Sequence, residues 1–131
     1  MTLKKNSFVK LEEITLINTK ATIFQKNSDD DFEAGLIFSE PTNKALTIIQ
    51  TEEIEFFFVK LMSLNVSKLL NKNCKLLSKS IKFSDDIESN KFLICNSEIM
   101  KTTTNLVFTK TNLFQNEKKI IAFSNSIWKI C

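Results

Sequence analysis

The sequence predicts an α+β fold in which an antiparallel sheet wraps around one long central helix. Two observations carry this. The stretch Pro41 to Asn65 (PTNKALTIIQTEEIEFFFVKLMSLN) contains no glycine, and its only proline stands at the front, where a helix tolerates one. Most of the remaining chain reads as short runs rich in Ile, Leu, Thr and Phe, separated by polar turns. Antiparallel strands and one apolar helix bury each other when the sheet curls around the helix. The 131 residues suffice for one domain, 1–131, with a core of its own.

Residues 1 to 8 are expected to be a frayed lead. From Phe8 to Gln25 (FVKLEEITLINTKATIFQ) the second half suits a strand. Lys26 to Asp31 (KNSDDD) is a turn by composition. Phe32 to Phe38 (FEAGLIF) reads as a second strand, with Gly35 marking a bulge or the close approach of another backbone. The helix follows, capped by Ser39 or Glu40. Ser67 to Asn73 is a polar connection, helical or irregular. Leu76 to Phe83 is strand-like, and Asp85 to Asn90 breaks it. Lys91 to Met100 alternates, with Leu93, Cys95 and Ile99 on one side and Phe92, Ile94 and Glu98 on the other. Thr102 to Thr104 turns, Leu106 to Thr111 is a strand, Asn112 to Glu117 turns again, and Lys119 to Ile130 is the last strand. The expected order is two strands, one long helix, then four strands.

The helix carries the sharpest chemical signal. At about 25 residues it exceeds the usual globular length of about 10–14. Its apolar residues cover most of its circumference, which requires burial on more than one side. At about 100° per residue, Glu52 shares a line with Ala45, Ile48, Ile49, Phe56 and Val59, and Glu53 and Glu55 fall towards the flanks. A carboxylate in the middle of the most apolar face is either a general base or nucleophile, or a group that reaches a lysine or escapes at an edge.

Composition removes whole classes of chemistry. There is no histidine, which excludes Ser-His-Asp and Cys-His catalysis and histidine metal ligation. A single glycine excludes phosphate loops and dinucleotide fingerprints. Net charge is +3 and every cation is a lysine, so neither arginine forks nor a charge excess point to nucleic acid. Cys74, Cys95 and Cys131 lack metal-ligand spacing, and their odd number fits reduced thiols in a cytoplasm. No metal and no cofactor is expected. The N-terminus (MTLKKNSFVK) lacks the apolar run of a signal peptide, and no stretch has the purity of a membrane span.

Three segments resemble the single-domain hotdog dehydratases that act on 3-hydroxyacyl groups of acyl carrier protein. Phe32 to Pro41 (FEAGLIFSEP) resembles the stretch around the family's His-Phe-Pro motif, with Phe38 at the phenylalanine, Ile37 at the histidine and Ser39 at the proline. Ala45 to Glu53 (ALTIIQTEE) resembles the start of the central helix, whose catalytic glutamate falls near Ile49 or Gln50. Ile81 to Asn90 (IKFSDDIESN) is similar to the family's Lys-Phe-x-x-Pro-Ile-x-Pro-Gly-Asp stretch at Lys82, Phe83 and Ile87. The resemblance implies a hotdog fold, an acyl thioester of acyl carrier protein or coenzyme A as ligand, and a homodimer or a heterodimer with a related subunit. Because the histidine is replaced, it implies binding without dehydration by this chain alone.

A second resemblance is to hotdog acyl thioesterases whose central helix begins His-Gly-Gly and carries an acidic residue further on. Asn43, Lys44 and Ala45 stand at the first three positions and Glu52 at the acidic one. This implies Glu52 as base or nucleophile, with Phe38, Asn43, Ala45, Ile49 and Phe56 around the substrate. An unrelated α+β domain without an acyl ligand is the remaining reading. Twelve phenylalanines fit an acyl tunnel, but also an ordinary core, as does Trp128. Lys44 and Lys82 could meet a phosphopantetheine phosphate or simply solvate the surface.

Overall fold

A computed structural model describes residues 8–16, 19–26, 33–39, 51–85, 87, 90–116 and 119–131, the side chains of 51, 52 and 116 excepted. The described elements are β1 (Phe8–Thr15), β2 (Lys20–Lys26), β3 (Glu33–Phe38), α1 (Thr51–Leu70), β4 (Cys74–Phe83), β5 (Phe92–Thr102), β6 (Leu106–Asn116) and β7 (Lys119–Ile130). The strands form one antiparallel sheet in the order β1-β2-β3-β5-β6-β7-β4. The chain leaves β3, passes through α1, and re-enters the sheet at its far edge as β4. The helix therefore crosses the inner face of the sheet and packs on β3, β4, β5 and β6, as the wrapped architecture requires.

Three strands precede the helix, not two. The stretch Phe8 to Gln25 splits at a tight turn closed by the Leu16 N–H on the Thr19 carbonyl at 2.6 Å. Its first half was not legible as a strand because β1 is an edge and its middle faces water. Lys10, Glu12 and Glu13 are exposed there, and a bulge interrupts the register between Lys10 and Glu12. Charge and a bulge are how sheets blunt their edges. Lys20 bonds Glu13 at 2.6 Å, and with Lys10 it holds that carboxyl below its ordinary range. Phe8 belongs to β1 and is buried, so the lead does not extend to it.

The helix runs to Leu70, beyond the expected end at Asn65. Asn71 ends it in the left-handed region (φ 52°). The Asn71 N–H reaches the Lys68 carbonyl and the Lys72 N–H reaches Ser67, a Schellman closure with asparagine where glycine is commoner. The expected start at Pro41 lies outside the described residues. At the other end of the sheet β4 begins at Cys74, and β6 continues to Asn116 through the expected turn.

The buried side of α1 is not the one expected. Ile54, Phe57, Phe58, Leu61, Met62, Asn65 and Val66 face the core, while Phe56 is 47% exposed. A helix apolar nearly all round does not reveal by hydrophobicity which side the sheet will cover. Polarity on the inner sheet face decides it instead. Ser97, Thr109, Thr111, Ser124 and Ser126 are all buried there. The Asn65 amide donates to the Cys95 carbonyl at 3.0 Å and to Ser97 Oγ at 3.1 Å, and Ser97 in turn shares a hydrogen bond with Thr111. The Trp128 indole donates to Thr109 Oγ1 at 3.1 Å.

Gly35 is not a bulge: its pairings with Phe24 and Ile94 keep register. It makes room for a ring and not for a backbone. A methyl group placed on it would come within 2.6 Å of the Phe92 ring, which packs edge-on against both Phe8 and Phe24. These rings form a small apolar layer on the outer face of the sheet.

The Asn65 bonds generate a stability prediction. Asn65→Leu keeps the branched outline, at a larger volume, but removes the donors, and is expected to cost about 1–3 kcal/mol in urea unfolding. Asn65→Asp should be worse, and increasingly so as pH rises. The new carboxyl, aimed at a carbonyl in the core, has a raised folded pKa, so the folded state keeps the proton that the unfolded state loses. An Asn65→Asp protein whose deficit shrinks with rising pH would contradict this account.

Candidate functional site

The two edges of the wrapped sheet approach the outward side of the helix and leave a groove between them. Glu12 of β1 and Lys79 of β4 flank Glu55, Phe56, Val59, Lys60, Ser63 and Leu64 of α1 around a volume of about 570 Å³. Lys60 bonds Glu12 at 3.0 Å and ties the helix to the β1 edge. The floor is apolar, from Phe56, Val59 and Leu64, and the rim carries two carboxylates and two ammonium groups. An apolar cleft of several hundred Å³ with a few convergent polar groups is the usual form of a small-molecule site.

The structure brings some of the expected residues together and separates others. The Glu52 side chain lies outside the described residues, but its backbone is the second residue of α1 as described. By helical register its backbone stands one turn before that of Phe56. Phe38 is fully buried and packs edge-on against Phe57 at 5.3 Å. Phe56 packs on the same Phe57 ring from the groove side, also at 5.3 Å. Phe57 therefore links the two expected phenylalanines, one in the core and one in the groove. Asn43, Ala45 and Ile49, with Lys44, lie outside the described residues. Ile37 pairs with Thr22 and Phe92 on the outer face of the sheet, and Lys82 pairs with Phe123 there.

Sequence reasoning missed Glu55, Lys60, Ser63 and Lys79 as groove residues. A signal was available within the helix. Lys60 and Ser63 interrupt its apolar run three residues apart, which is one helix line, and that line was the one left to water. Glu53 serves elsewhere: its Oε2 accepts a 2.8 Å hydrogen bond from the buried Thr19 hydroxyl in the β1–β2 turn.

No protein-family model and no curated protein sequence matches the chain. Solved structures do. The Escherichia coli PaaI protein from the phenylacetic acid degradation operon is 8% identical with a TM-score of 0.64, over 85% of this chain and 79% of that one. A hypothetical thioesterase of Streptococcus pneumoniae TIGR4, solved with coenzyme A, is 10% identical with a TM-score of 0.62, over 92% and 84%. The smu.793 protein of Streptococcus mutans UA159, bound to acetyl-CoA, is 12% identical with a TM-score of 0.62, over 95% and 88%. Likeness at such identity is a likeness of fold. The chain has the hotdog fold, an antiparallel sheet wrapped around one central helix.

The chemistry open to the groove follows from its side chains. Among the described residues no three His, Cys, Asp or Glu side chains cluster as metal ligands. All three cysteines are free thiols. Burial pushes the Cys95 thiol far up, and burial with the nearby Cys131 raises Cys74. A nucleophile of the thiolate kind is therefore disfavoured at both. Carboxylates and ammonium groups remain. Alkylation of the native protein with iodoacetamide is expected to modify the exposed Cys131 first, Cys74 more slowly, and Cys95 only on unfolding. Mass spectrometry that found Cys95 modified as fast as Cys131 would refute the packing described.

Proposed function

We propose that the chain is a single hotdog domain over residues 1–131 that binds acyl thioesters, those of coenzyme A first, and hydrolyses them with Glu52 as base or nucleophile. The observation that carries this reading is the groove. The helix line that bears Glu52, Phe56 and Ser63 is the one the sheet leaves open, with an apolar floor for an acyl group. Two similar structures hold coenzyme A or acetyl-CoA. The ammonium group of Lys79 on the rim suits a ligand that carries phosphates.

Hydrolysis needs only groups this chain possesses. A carboxylate takes a proton from water, the hydroxide adds to the thioester carbonyl, and the C–S bond breaks to give the acid and the free thiol. Alternatively the carboxylate itself adds to the carbonyl, the C–S bond breaks to release the thiol, and water cleaves the resulting anhydride to the acid and the free carboxylate. Neither route requires histidine. Dehydration is not proposed, because Ile37 stands where the dehydratase histidine would be and pairs on the outer face of the sheet. A second reading, binding without turnover, is favoured by a different observation: Lys44 and Ala45 replace the paired glycines that give a thioester close access to the backbone. Acyl carrier protein is the other carrier this reading admits.

The test is turnover and binding of a short and a long acyl-CoA by the purified protein and by Glu52→Gln. Hydrolysis is expected to fall about 100- to 10,000-fold while binding stays within a few-fold. Equal hydrolysis by both proteins would remove Glu52 from the chemistry. Binding without any turnover by the native protein would leave the second reading, and no binding would end the acyl-thioester reading altogether.

The chain is further proposed to act in the cytoplasm as a homodimer or as a heterodimer with a related hotdog subunit. Among the described residues no helix is long and apolar enough to cross a membrane. Strand β4 is the longer of the sheet's two edges and exposes Leu77 to 50%. A long edge with unpaired backbone groups is a template for a second strand. Sedimentation at micromolar concentration should return twice the mass of one chain, and a stable monomer that still turns over substrate would count against the dimer.

A further inference from the structure

The outer face of β4, β7, β6 and β5 lies on the opposite side of the sheet from the helix and its groove. Directly paired residues share a face, so the register maps this surface in transverse rows. Lys75 pairs with Lys129. Ser78 pairs with Ile127, which pairs with Phe108 and, through it, Lys101. Ser80 leads through Asn125 to Lys110 and Glu98, and Lys82 leads to Phe123.

Charge is segregated on this face. Among the described residues it holds five lysines and a single carboxylate, Glu98. Lys75, Lys82, Lys101, Lys110 and Lys129 are all exposed, and none of them makes an ion pair among the described residues. The net +3 of the whole chain conceals this.

The centre of the face is apolar and recessed. A depression of about 370 Å³ is lined by three apolar side chains, Met100, Phe108 and Ile127, and by polar ones from β4, β6 and β7, Lys79 of the β4 edge among them. Two β-bulges reach this one row: one in β4 between Leu76 and Ser78, one in β5 between Ile99 and Lys101. Bulges bend a strand and re-aim a side chain. Met100 is the extra residue of the second bulge and is 61% exposed, more than any other large apolar residue described. An apolar centre within a charged rim is the anatomy of an interaction surface.

We propose that this face docks an acidic amphipathic helix of a partner protein. Size, charge and shape agree. Four strands and four rows span about 15 by 20 Å, which accommodates a helix of three turns, about 16 Å long and 10 Å wide. Its apolar side chains enter the depression and its carboxylates meet the lysine rim. Met100 supplies an adaptable contact suited to such helices. A second copy of the chain does not fit, since a two-fold contact would set five lysines against the same five. Single-stranded nucleic acid would want bases stacked on exposed rings. Here the most exposed apolar group is a thioether and the central ones include isoleucine.

The experiment uses the intact protein and a fluorescein-labelled synthetic helix of about 18 residues, leucine along one face and glutamate elsewhere. Its lysine counterpart and an oligouridylate serve as rivals, and no acyl thioester is present, so the result is independent of the groove. Fluorescence anisotropy is expected to show micromolar binding of the acidic helix that weakens at least about tenfold between roughly 50 and 200 mM salt. Amide NMR shifts should concentrate on Ser78, Met100, Phe108 and Ile127. The triple change Lys101→Glu, Lys110→Glu, Lys129→Glu should abolish binding, and Lys→Gln at the same sites should weaken it, each with an unaltered circular-dichroism melt. The proposal is overturned if the acidic helix does not bind, if the basic helix binds as well, if only the oligouridylate binds, or if charge reversal in a folded protein changes nothing.

Discussion

The side-chain amide of Asn65 fixes how the helix sits in the sheet. A helix apolar around most of its surface has no strong preference for one rotation inside an apolar sleeve. Asn65 supplies the preference, because its two donors find the Cys95 carbonyl and Ser97 Oγ only at one angle. Turning α1 by one residue, about 100°, would strand that amide in apolar packing and drive charged side chains of the opposite line against the sheet. A buried donor without a partner costs about 1–3 kcal/mol, a strong bias against a misrotated helix in a protein whose total stability is of order 10 kcal/mol. The groove line of Glu55, Phe56, Val59 and Ser63 is open because Asn65 is closed.

The sheet meets this polar anchor with polar groups of its own. Thr109, Thr111, Ser124 and Ser126 join Ser97 on the inner face of β5, β6 and β7. Each finds a partner: Trp128 for Thr109, Ser97 for Thr111, and one another for Ser124 and Ser126. Met62 accepts the remaining contact from Ser126 at 3.6 Å. A satisfied polar layer costs little net stability and specifies one arrangement. On the outer face the logic is reversed, since Phe8, Phe24 and Phe92 cover one another above Gly35. That is why a strand with a glycine in its middle holds its register.

How much of this was legible in the sequence differs by element. The helix was legible because it lacks breakers over a long apolar run. The strands after it were legible from alternation, as at Leu93, Cys95, Phe92 and Ile94. Strand β1 was hidden because an edge needs no alternation, and with Lys10, Glu12 and Glu13 in its first half only the second half of Phe8 to Gln25 read as a strand. The face of the helix was misread because the largest apolar count was taken to mark the core. The better guide was the placing of Lys60, whose charge is costly to bury, with Ser63 three residues on. Asn65 worked against that guide: a polar residue near the helix end reads as a terminus until its partners on β5 are known. The resemblance to hotdog proteins gave the fold from a few apolar positions. Its preference for dehydratases rested on Phe38, Lys82 and Phe83, whose places in the sheet are structural: Phe38 faces the core, Lys82 the outer surface, and Phe83 packs against the core.

Charge teaches the same lesson at larger scale. Net charge is a property of the whole chain, whereas a partner meets one face. With lysine as the only cation, an excess of +3 looks too small to direct recognition. Pairing register redistributes it. In the groove Lys60 is spoken for by Glu12, and along the β1–β2 edge Glu13 gathers Lys10 and Lys20. Among the described residues these carboxylates lie on the helix side and on one edge, and the lysines of β4, β6 and β7 share their face with one described carboxylate, Glu98. Alternation in the strands forces the outcome: inward positions are taken by hydroxyl and apolar groups, so every charge on these strands that does not sit at an edge must face outward. A sheet whose inside is occupied by a helix has one large surface left on which to display charge, and here that surface is basic around an apolar centre.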